Sequence, residues 1–339
     1  MATIKEVAAL AGVSPSTVSR VCNDHPSISI ETRERVRSAM TQLGYEPSLS
    51  NQQTEQKLRM IAVLLPPSPR ETYENAFYLE VIRGISQVCN RRQVACTVIT
   101  GQDDDEMLRA VQTLGHSGQA DGFIMLYSKK GDPVVEYLCE QGLLYVLIGK
   151  AEPPYGQTIC IDNDNLLAGR EATEYLLKLG HTRIAYLGSK STFVFSAERK
   201  TGYQLALFAH NLSMRPDYCI EMDSESFDKA ESLKALLRSP DRPTALVVSD
   251  DILAIGLERT CSAVGLTIPD DISIISFNNS LLAQLNHPQL TSVDINSYQL
   301  GFEAASQILN HADNPNLMAV KLIVPHRIVQ RESCRIIEK

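Results

Sequence analysis

The N-terminal segment combines one arginine with several small polar side chains at a spacing that suits a short helix facing DNA. Ser14 is a favourable helix cap and Pro15 suits a first helical turn, so a helix should begin there. Arg20 on its outer face can donate two hydrogen bonds to a guanine, whereas hydroxyl and amide groups suit phosphates. The residues expected to contact DNA are Thr3, Ser14, Pro15, Ser16, Thr17, Ser19, Arg20 and Asn23.

Two further helices should hold this one in place. Residues Thr3-Ile4-Lys5-Glu6 form a capping box before a first helix, and a third helix should begin at Ser29 and stop at Gly44. The pattern predicts a helix-turn-helix, and a structural three-helix bundle with a solvated polar face is the alternative. The apolar residues that should pack together are Ile4, Val7, Ala8, Ala11, Val18, Val21, Val36, Ala39, Met40 and Leu43.

Charge is distributed unevenly along the 339 residues. The chain carries a net charge of −8, although residues 1–60 hold seven basic and six acidic side chains. A negatively charged chain is a poor non-specific DNA binder. Specific binding by the N-terminal segment would therefore depend on a few well-placed contacts and on dimerisation.

Beyond residue 60, short apolar runs alternate with helical stretches such as Tyr78–Arg91, Asn165–Leu179 and Asp251–Val264. This alternation is typical of parallel sheets with helices on both faces, and its extent fits two doubly wound lobes. The predicted strands are Ile61–Leu65, Ala95–Ile99, Gly122–Leu126, Tyr145–Ile148, Ile184–Leu187, Ala245–Val248 and Ile272–Ser276.

Motifs for catalysis, cofactors and metals are missing from the sequence. It contains no dinucleotide fingerprint, P-loop, G-x-S-x-G or H-E-x-x-H, so we expect neither an enzyme nor a cofactor. The eight cysteines contain no C-x-x-C pair and should be reduced thiols. The acidic run 103–106 lacks the spacing of a calcium loop and suits a helix start instead. Without a signal segment or an apolar run of about 18 residues, a cytoplasmic protein with no membrane contact is expected.

Several residue runs resemble the lactose/galactose repressor (LacI/GalR) family. They are Ile4–Ala8, Gly12–Val21 with Asn23, Leu43–Pro47, Asn165–Gly169, Leu179–Ile184, Gly265–Ile275 and Arg331–Ser333. The resemblance implies an α/β protein with an all-α helix-turn-helix headpiece (1–46), a linker (47–60) and a two-lobed, doubly wound core like that of periplasmic binding proteins (61–339). One lobe would comprise residues 61–161 with 293–320, and the other residues 162–292 with 321–339.

The same resemblance places a small ligand between the lobes, where parallel strands present their carboxyl ends. Arg199 matches the family's ligand-contacting arginine, and its planar guanidinium can bind two neighbouring hydroxyls or a carboxylate. The alternatives are a surface salt bridge for Arg199 and core packing for Phe77 and Tyr78, whose rings could also pack on a sugar. Asp251 is expected to cap a helix. The expected effector-binding residues are Phe77, Tyr78, Asp162, Arg199, Asp250 and Asn278.

Two positions depart from the usual family pattern. Asn278 stands where an aspartate is common, which removes a charge and makes a basic ligand less favoured. Lys150 lies near a point where an acidic residue is usual. Residues 148–150, 276–280 and 290–295 are nevertheless similar to the branch of the family that regulates maltose operons, which implies maltose, maltodextrin or a related α-glucoside.

The resemblance implies a homodimeric, sequence-specific transcriptional regulator that binds operator DNA and a sugar effector, and most simply a repressor of a carbohydrate-utilisation operon. The competing hypothesis is a cytosolic sugar-binding module, or a carbohydrate-acting enzyme, built on the same α/β core. Turnover of a sugar by the pure protein would favour an enzyme.

The linker differs from the family pattern, in which a short helix holds an Ala-Arg pair and a leucine that inserts into the central minor groove. Residues 48–57 lack that arginine, and their one apolar side chain, Leu49, is not at the usual leucine position. Serine, asparagine and threonine are weak helix formers, so the linker helix should be weak and operator bending reduced. A shift in helix register would make Leu49 the inserting residue.

Overall fold

The computed structural model describes residues 3–22, 30–45, 60–68, 75–151, 158–222 and 231–337. The chain divides into two compact units, residues 1–58 and 59–339. Three helices make up the described part of the first unit: α1 (Ile4–Ala11), α2 (Pro15–Cys22) and α3 (Ile30–Gln42). The predicted capping box is present, because Thr3 Oγ1 accepts from Glu6 N and Glu6 Oε2 accepts from Thr3 N at 2.7 Å.

The headpiece helices enclose the predicted apolar core, with one exception. Val7, Val18 and Val36 are fully buried, in agreement with the helix-turn-helix prediction. Leu43 was predicted to be buried, but 37% of its surface is exposed. The helical periodicity does not extend to Leu43, because α3 ends at Gln42 and the chain turns through Gly44 at a φ of 54°.

The described residues of the second unit form two six-stranded sheets. The order in the first sheet is β11-β5-β4-β3-β1-β2, and in the second β12-β10-β9-β8-β6-β7. All neighbours are parallel except β10 and β12. The strands are β1 (Met60–Leu64), β2 (Ala95–Ile99), β3 (Gly122–Met125), β4 (Tyr145–Ile148), β5 (Ile159–Asp162), β6 (Ile184–Gly188), β7 (Cys219–Glu221), β8 (Ala245–Val248), β9 (Ser273–Phe277), β10 (Thr291–Asp294), β11 (Lys321–Ile323) and β12 (Arg327–Val329).

Helices connect most of these strands, as expected for doubly wound lobes. They are α4 (Ala76–Arg91), α5 (Asp104–Ser117), α6 (Pro133–Glu140), α7 (Asn165–Lys178), α8 (Val194–Ala209), α9 (Glu231–Arg238), α10 (Asp251–Ala263), α11 (Leu281–Leu285) and α12 (Ser297–Asp313). The predicted α/β fold is confirmed, and each predicted strand lies within one residue of an observed one. The acidic run also begins a helix, because Asp103 accepts from Glu106 N at 2.8 Å and caps α5.

We call the part built on the first sheet lobe 1 and the part built on the second sheet lobe 2. The chain crosses between them after β5, after β10 and after β11, near residues 163, 295 and 324. Residues 293–294 therefore belong to lobe 2 and residues 321–323 to lobe 1, the reverse of the predicted division at 293 and 321. Strands β11 and β12 have only three residues each, and each begins with a charged residue. They therefore lack the longer apolar run that identifies a buried strand in a sequence.

Candidate ligand cleft and recognition helix

A cavity opens between the lobes, and clefts of this kind are common sites for small ligands. It lies where several strands present their carboxyl ends, since its lining includes residues that follow β3, β4, β5, β8 and β9. The structure brings together all six side chains that were expected to bind the effector. They are Phe77, Tyr78, Asp162, Arg199, Asp250 and Asn278.

Arg199 is held rigidly in the wall of this cavity. Its side chain is 3% exposed, its Nε donates to Asn165 Oδ1 at 2.9 Å, and its Nη1 donates to the Ser249 carbonyl at 2.7 Å. The guanidinium carbon lies 4.3 Å from the ring centre of Phe277 and 5.0 Å from that of Phe195. These contacts fix the plane of the guanidinium, so the alternative of a surface salt bridge is wrong.

Close packing of α7 against α8 determines where Arg199 lies. A Cβ atom on Gly169 would lie 2.3 Å from the Arg199 carbonyl oxygen, and one on Gly202 would lie 2.1 Å from the Leu166 carbonyl oxygen. Both neighbours are backbone atoms, so only glycine allows the two helices to approach this closely. The approach places Asn165 of α7 within hydrogen-bond distance of Arg199 of α8.

Two carboxyl groups in the cavity are unusually easy to protonate. Burial raises the pKa of Asp162 to about 7 and the pKa of Asp250 to about 6. Burial also lowers the pKa of Arg199 to about 10, which leaves it charged at neutral pH. The cavity can therefore offer Arg199 as a strong donor and two acceptors whose charge depends on pH near neutrality.

Asp250 and Asp251 have roles that differ from those predicted. Asp250 is the N-cap of α10, because its Oδ1 accepts from Leu253 N at 2.9 Å, and it also lines the cavity. Asp251 was predicted to be the cap, but it is buried and accepts from the hydroxyls of Ser276 and Ser292 at 2.6 and 2.9 Å. The cap prediction is wrong by one residue, since either of two adjacent aspartates satisfies the same sequence pattern.

The remaining predicted cavity residues occupy turns and a helix start. Asn278 follows β9 at a φ of 97°, a left-handed conformation that asparagine tolerates better than most residues. Asn75 caps α4 by accepting from Phe77 N at 3.0 Å. This cap orients Phe77 and Tyr78, whose ring centres lie 5.1 Å apart in an edge-to-face arrangement. Both rings are partly buried against the core and also line the cavity, so packing and ligand contact are compatible roles.

Several cavity residues were not in the predicted set. Tyr127 and Ser128 follow β3, and Gly149 and Lys150 follow β4. Their position after predicted strands was a usable signal, because such residues meet at one sheet edge. Asn163 and Asn165 also follow a strand end, but their strand β5 was not predicted, and Asn75, Val194 and Phe195 had no comparable signal.

Asn163 joins the three crossovers between the lobes. Its Nδ2 donates to the carbonyls of Ile295 at 3.0 Å and Val324 at 2.8 Å, and Asn163 itself lies in the first crossover. It is 2% exposed and lines the cavity. A ligand in the cleft therefore lies beside the residue that ties the crossovers together.

The recognition helix is described only in part. The Ser14 hydroxyl accepts from Thr17 N at 3.2 Å and lies 2.9 Å from the Thr17 hydroxyl, so Ser14 caps α2 as predicted. Ser14 and Pro15 are exposed, and Thr3 is exposed at the start of α1. The other predicted DNA contacts lie outside the described residues or side chains: Ser16, Ser19, Arg20, Asn23 and Leu49.

In the described ranges, no group of three or more His, Cys, Asp or Glu side chains could hold a metal ion. Nor does any helix in those ranges have the length and apolar character of a membrane span.

Two parts of the chain match known protein families. Residues 3–48 match the family described as bacterial regulatory proteins, lacI family. Residues 173–334 match the periplasmic binding protein-like domain.

Relatives extend these matches over nearly the whole chain. The HTH-type transcriptional regulator MalR of Streptococcus pneumoniae is 34% identical over 97% of this chain and 99% of its own length. The structure titled transcriptional regulator CelR-cellobiose complex covers 98% of this chain and 100% of its own, with a TM-score of 0.75 and 29% identity. The probable maltose operon transcriptional repressor malR of Staphylococcus aureus covers 81% of this chain and 97% of its own, with a TM-score of 0.74 and 26% identity.

Proposed function

Because the chain belongs to the LacI family of bacterial regulatory proteins, and is therefore a transcriptional regulator rather than an enzyme, we propose that it represses a carbohydrate-utilisation operon under the control of a sugar. The observation that carries this proposal is the cavity containing Arg199, Asp162 and Asp250. A fixed donor and two acceptors in one cavity, with aromatic rings nearby, suit the hydroxyls and the C–H faces of a sugar.

Maltose, maltodextrin or a related α-glucoside is the proposed effector. The proposal draws on the similarity to a probable maltose operon repressor and on the residues shared with that branch. A related structure contains cellobiose, which makes a β-linked glucose disaccharide the natural comparison.

The test is a thermal-shift screen of glucose, ribose, maltose, maltotriose and cellobiose, followed by operator-binding assays with each binder. A sugar at 100 times its dissociation constant should stabilise the protein by roughly 2.7 kcal/mol. Release of operator DNA on addition of that sugar supports an inducer, and tighter binding supports a corepressor. If none of the sugars shifts the transition, the sugar proposal fails.

The proposed assembly is a cytoplasmic homodimer that binds a near-palindromic operator. Two-fold symmetry of the protein would be matched by two half-sites in the DNA. Helix α11 supports this part of the proposal, because it exposes 63% of Leu281 and 73% of Leu285, apolar surface that a second copy could cover.

Arg20 is proposed to read one base pair in each half-site. Replacing Arg20 with alanine should weaken operator binding by about 1–3 kcal/mol and relax the preference at that base pair. Gel-shift titrations against operators substituted at each position would measure this change. A uniform loss across all variants would contradict base reading and assign Arg20 to a phosphate contact.

Sugar affinity should depend on pH. Burial raises the pKa of Asp162 to about 7 and that of Asp250 to about 6, and sugar hydroxyls that donate to these carboxylates favour their ionised forms. Below pH 6 binding must displace protons, so affinity should fall by up to about tenfold per pH unit for each group. Above pH 8 the affinity should be constant.

Calorimetric titrations with the identified sugar from pH 5 to pH 8 would check this prediction. Asp162→Asn is the informative variant, because it should remove the part of the pH dependence near pH 7. An affinity that does not change between pH 5 and pH 8 would show that the sugar does not use these carboxylates.

The competing hypothesis is a plain sugar-binding module without operator function. Exposed recognition-helix residues such as Pro15 argue against it, as does the match of residues 3–48 to bacterial regulators. Sugar binding without any sequence-specific DNA binding would favour it.

A further inference from the structure

The two lobes contact each other at a place separate from the three crossovers. Val194 N of lobe 2 donates to the Ser128 carbonyl of lobe 1 at 3.1 Å, and Lys130 N of lobe 1 donates to the Thr192 carbonyl at 3.2 Å. Between these bonds, residues 129 and 193 form an isolated antiparallel β-bridge. We call residues 128–130 and 192–194 the interlobe bridge.

An ion pair lies next to this bridge and also joins the lobes. Lys150 follows β4 in lobe 1 and Glu198 belongs to α8 in lobe 2, yet Lys150 Nζ lies 2.6 Å from Glu198 Oε1. The Ser128 hydroxyl donates to the Lys150 carbonyl at 2.5 Å, so the ion pair and the interlobe bridge share an anchor.

Glu198 depends on Lys150 for its charge balance. Among the described residues, Glu198 Oε2 is buried and has no hydrogen-bond partner, so removing Lys150 would leave a poorly solvated carboxylate. Lys150 lines the cavity, and Glu198 precedes Arg199, which also lines it. The lysine that departs from the family pattern is thus matched by a carboxylate across the cleft.

We propose that Lys150 and Glu198 form a latch that holds the lobes closed over the cavity and limits how fast a bound ligand leaves. The ligand part of this inference rests on the proposed sugar-binding function, but the closure itself does not. Because the bonds of the interlobe bridge cross the cleft, opening of the lobes must break them. Amide exchange at Lys130 and Val194 therefore reports on closure even without a ligand.

The first test is hydrogen exchange on the full-length, ligand-free protein, followed by mass spectrometry of peptides that contain Lys130 and Val194. Lys150→Met and Glu198→Gln should each increase exchange at these amides by on the order of fivefold, as expected for loss of a partly exposed ion pair. The matched control is Lys234→Met, which removes a 3.0 Å pair with Glu231 on one helix and should leave both amides unchanged.

The reversed pair, Lys150→Glu together with Glu198→Lys, separates a latch from a local packing defect. It should restore slow exchange, because the attraction is kept while both side chains change. If exchange is unchanged in both single variants, the latch proposal is wrong. It is also wrong if the reversed-pair variant has the wild-type unfolding temperature but does not regain slow exchange at these amides.

The second test is stopped-flow dissociation with maltose as the probe. Glu198→Gln should increase the dissociation rate of maltose by on the order of fivefold and leave its association rate nearly unchanged. Because Lys150 lines the cavity, an effect of Lys150→Met alone would indicate a direct sugar contact and contradict the latch. If maltose does not bind the wild-type protein, maltose is excluded as the effector, whereas the exchange measurements still decide the latch.

Discussion

Replacing Arg199 with alanine should abolish the response to the sugar effector and leave operator binding intact. The guanidinium is the fixed donor of the cavity, where burial raises the pKa of Asp162 and Asp250. Without the arginine these carboxyl groups lose their nearby positive charge, and sugar hydroxyls lose a charged donor. We expect sugar affinity to fall at least about 100-fold, or roughly 2.7 kcal/mol.

The change should be confined to the core. The headpiece forms a separate compact unit, so gel-shift titrations without sugar should give the wild-type operator affinity. Arg170→Ala is the matched control, because Arg170 lies on the adjoining helix α7 and pairs with Glu174 at 2.7 Å on the surface. Wild-type sugar affinity of Arg199→Ala in calorimetry would show that the ligand binds elsewhere.

Arg199→Lys distinguishes lost charge from lost geometry. Lysine keeps the positive charge but cannot donate to both Asn165 Oδ1 and the Ser249 carbonyl while stacking on Phe277. We expect the Arg199→Lys variant to bind the sugar much more weakly than the wild-type protein does. Recovery of full affinity would show that charge alone is sufficient at this position.

Replacing Asp251 with alanine should destabilise lobe 2 more than most single substitutions. Asp251 accepts from the hydroxyls of Ser276 and Ser292 and, at 2.7 Å, from Ser280 N. It thereby joins the start of α10 to β9, to β10 and to the residue before α11. Alanine would leave three buried donors without this acceptor, and we expect a loss of about 3 kcal/mol in the free energy of unfolding.

Asp251→Asn should lie between alanine and wild type. Burial raises the pKa of Asp251, because the charged carboxylate is poorly solvated there. Asparagine keeps one oxygen for the two serine hydroxyls but turns an amide donor toward Ser280 N. Urea unfolding would measure all three proteins, with the exposed Asp105→Ala as control, expected within about 0.5 kcal/mol of wild type. An alanine variant as stable as this control would contradict a role for the network.

Much of the fold could be predicted from local patterns. The run Ala245–Val248 is a strand with the bounds that were predicted, because all four of its residues are buried between helix layers and are therefore all apolar. The capping box at Thr3 and Glu6 was equally predictable, since its bonds join residues three positions apart. The six expected cavity residues were found by position relative to strands and by family resemblance.

Other features depend on contacts between distant residues. The strands Lys321–Ile323 and Arg327–Val329 carry no continuous apolar run, and only pairing with β5 and β10 identifies them. The sequence analysis predicted Asp251 as the cap, but Asp250 fills that role, and only the contacts with the hydroxyls of Ser276 and Ser292 reveal what Asp251 does instead.

The classes of element, the headpiece and the cavity residues next to strand ends could be predicted, because they follow from periodicity and local hydrogen bonding. Which separate segments meet depends on how the sheets fold together. Asn163 binds carbonyls 132 and 161 residues away, and Lys150 meets a glutamate 48 residues away. The residues near such a side chain in the sequence do not indicate its partner, because the two come together only after the sheets have formed.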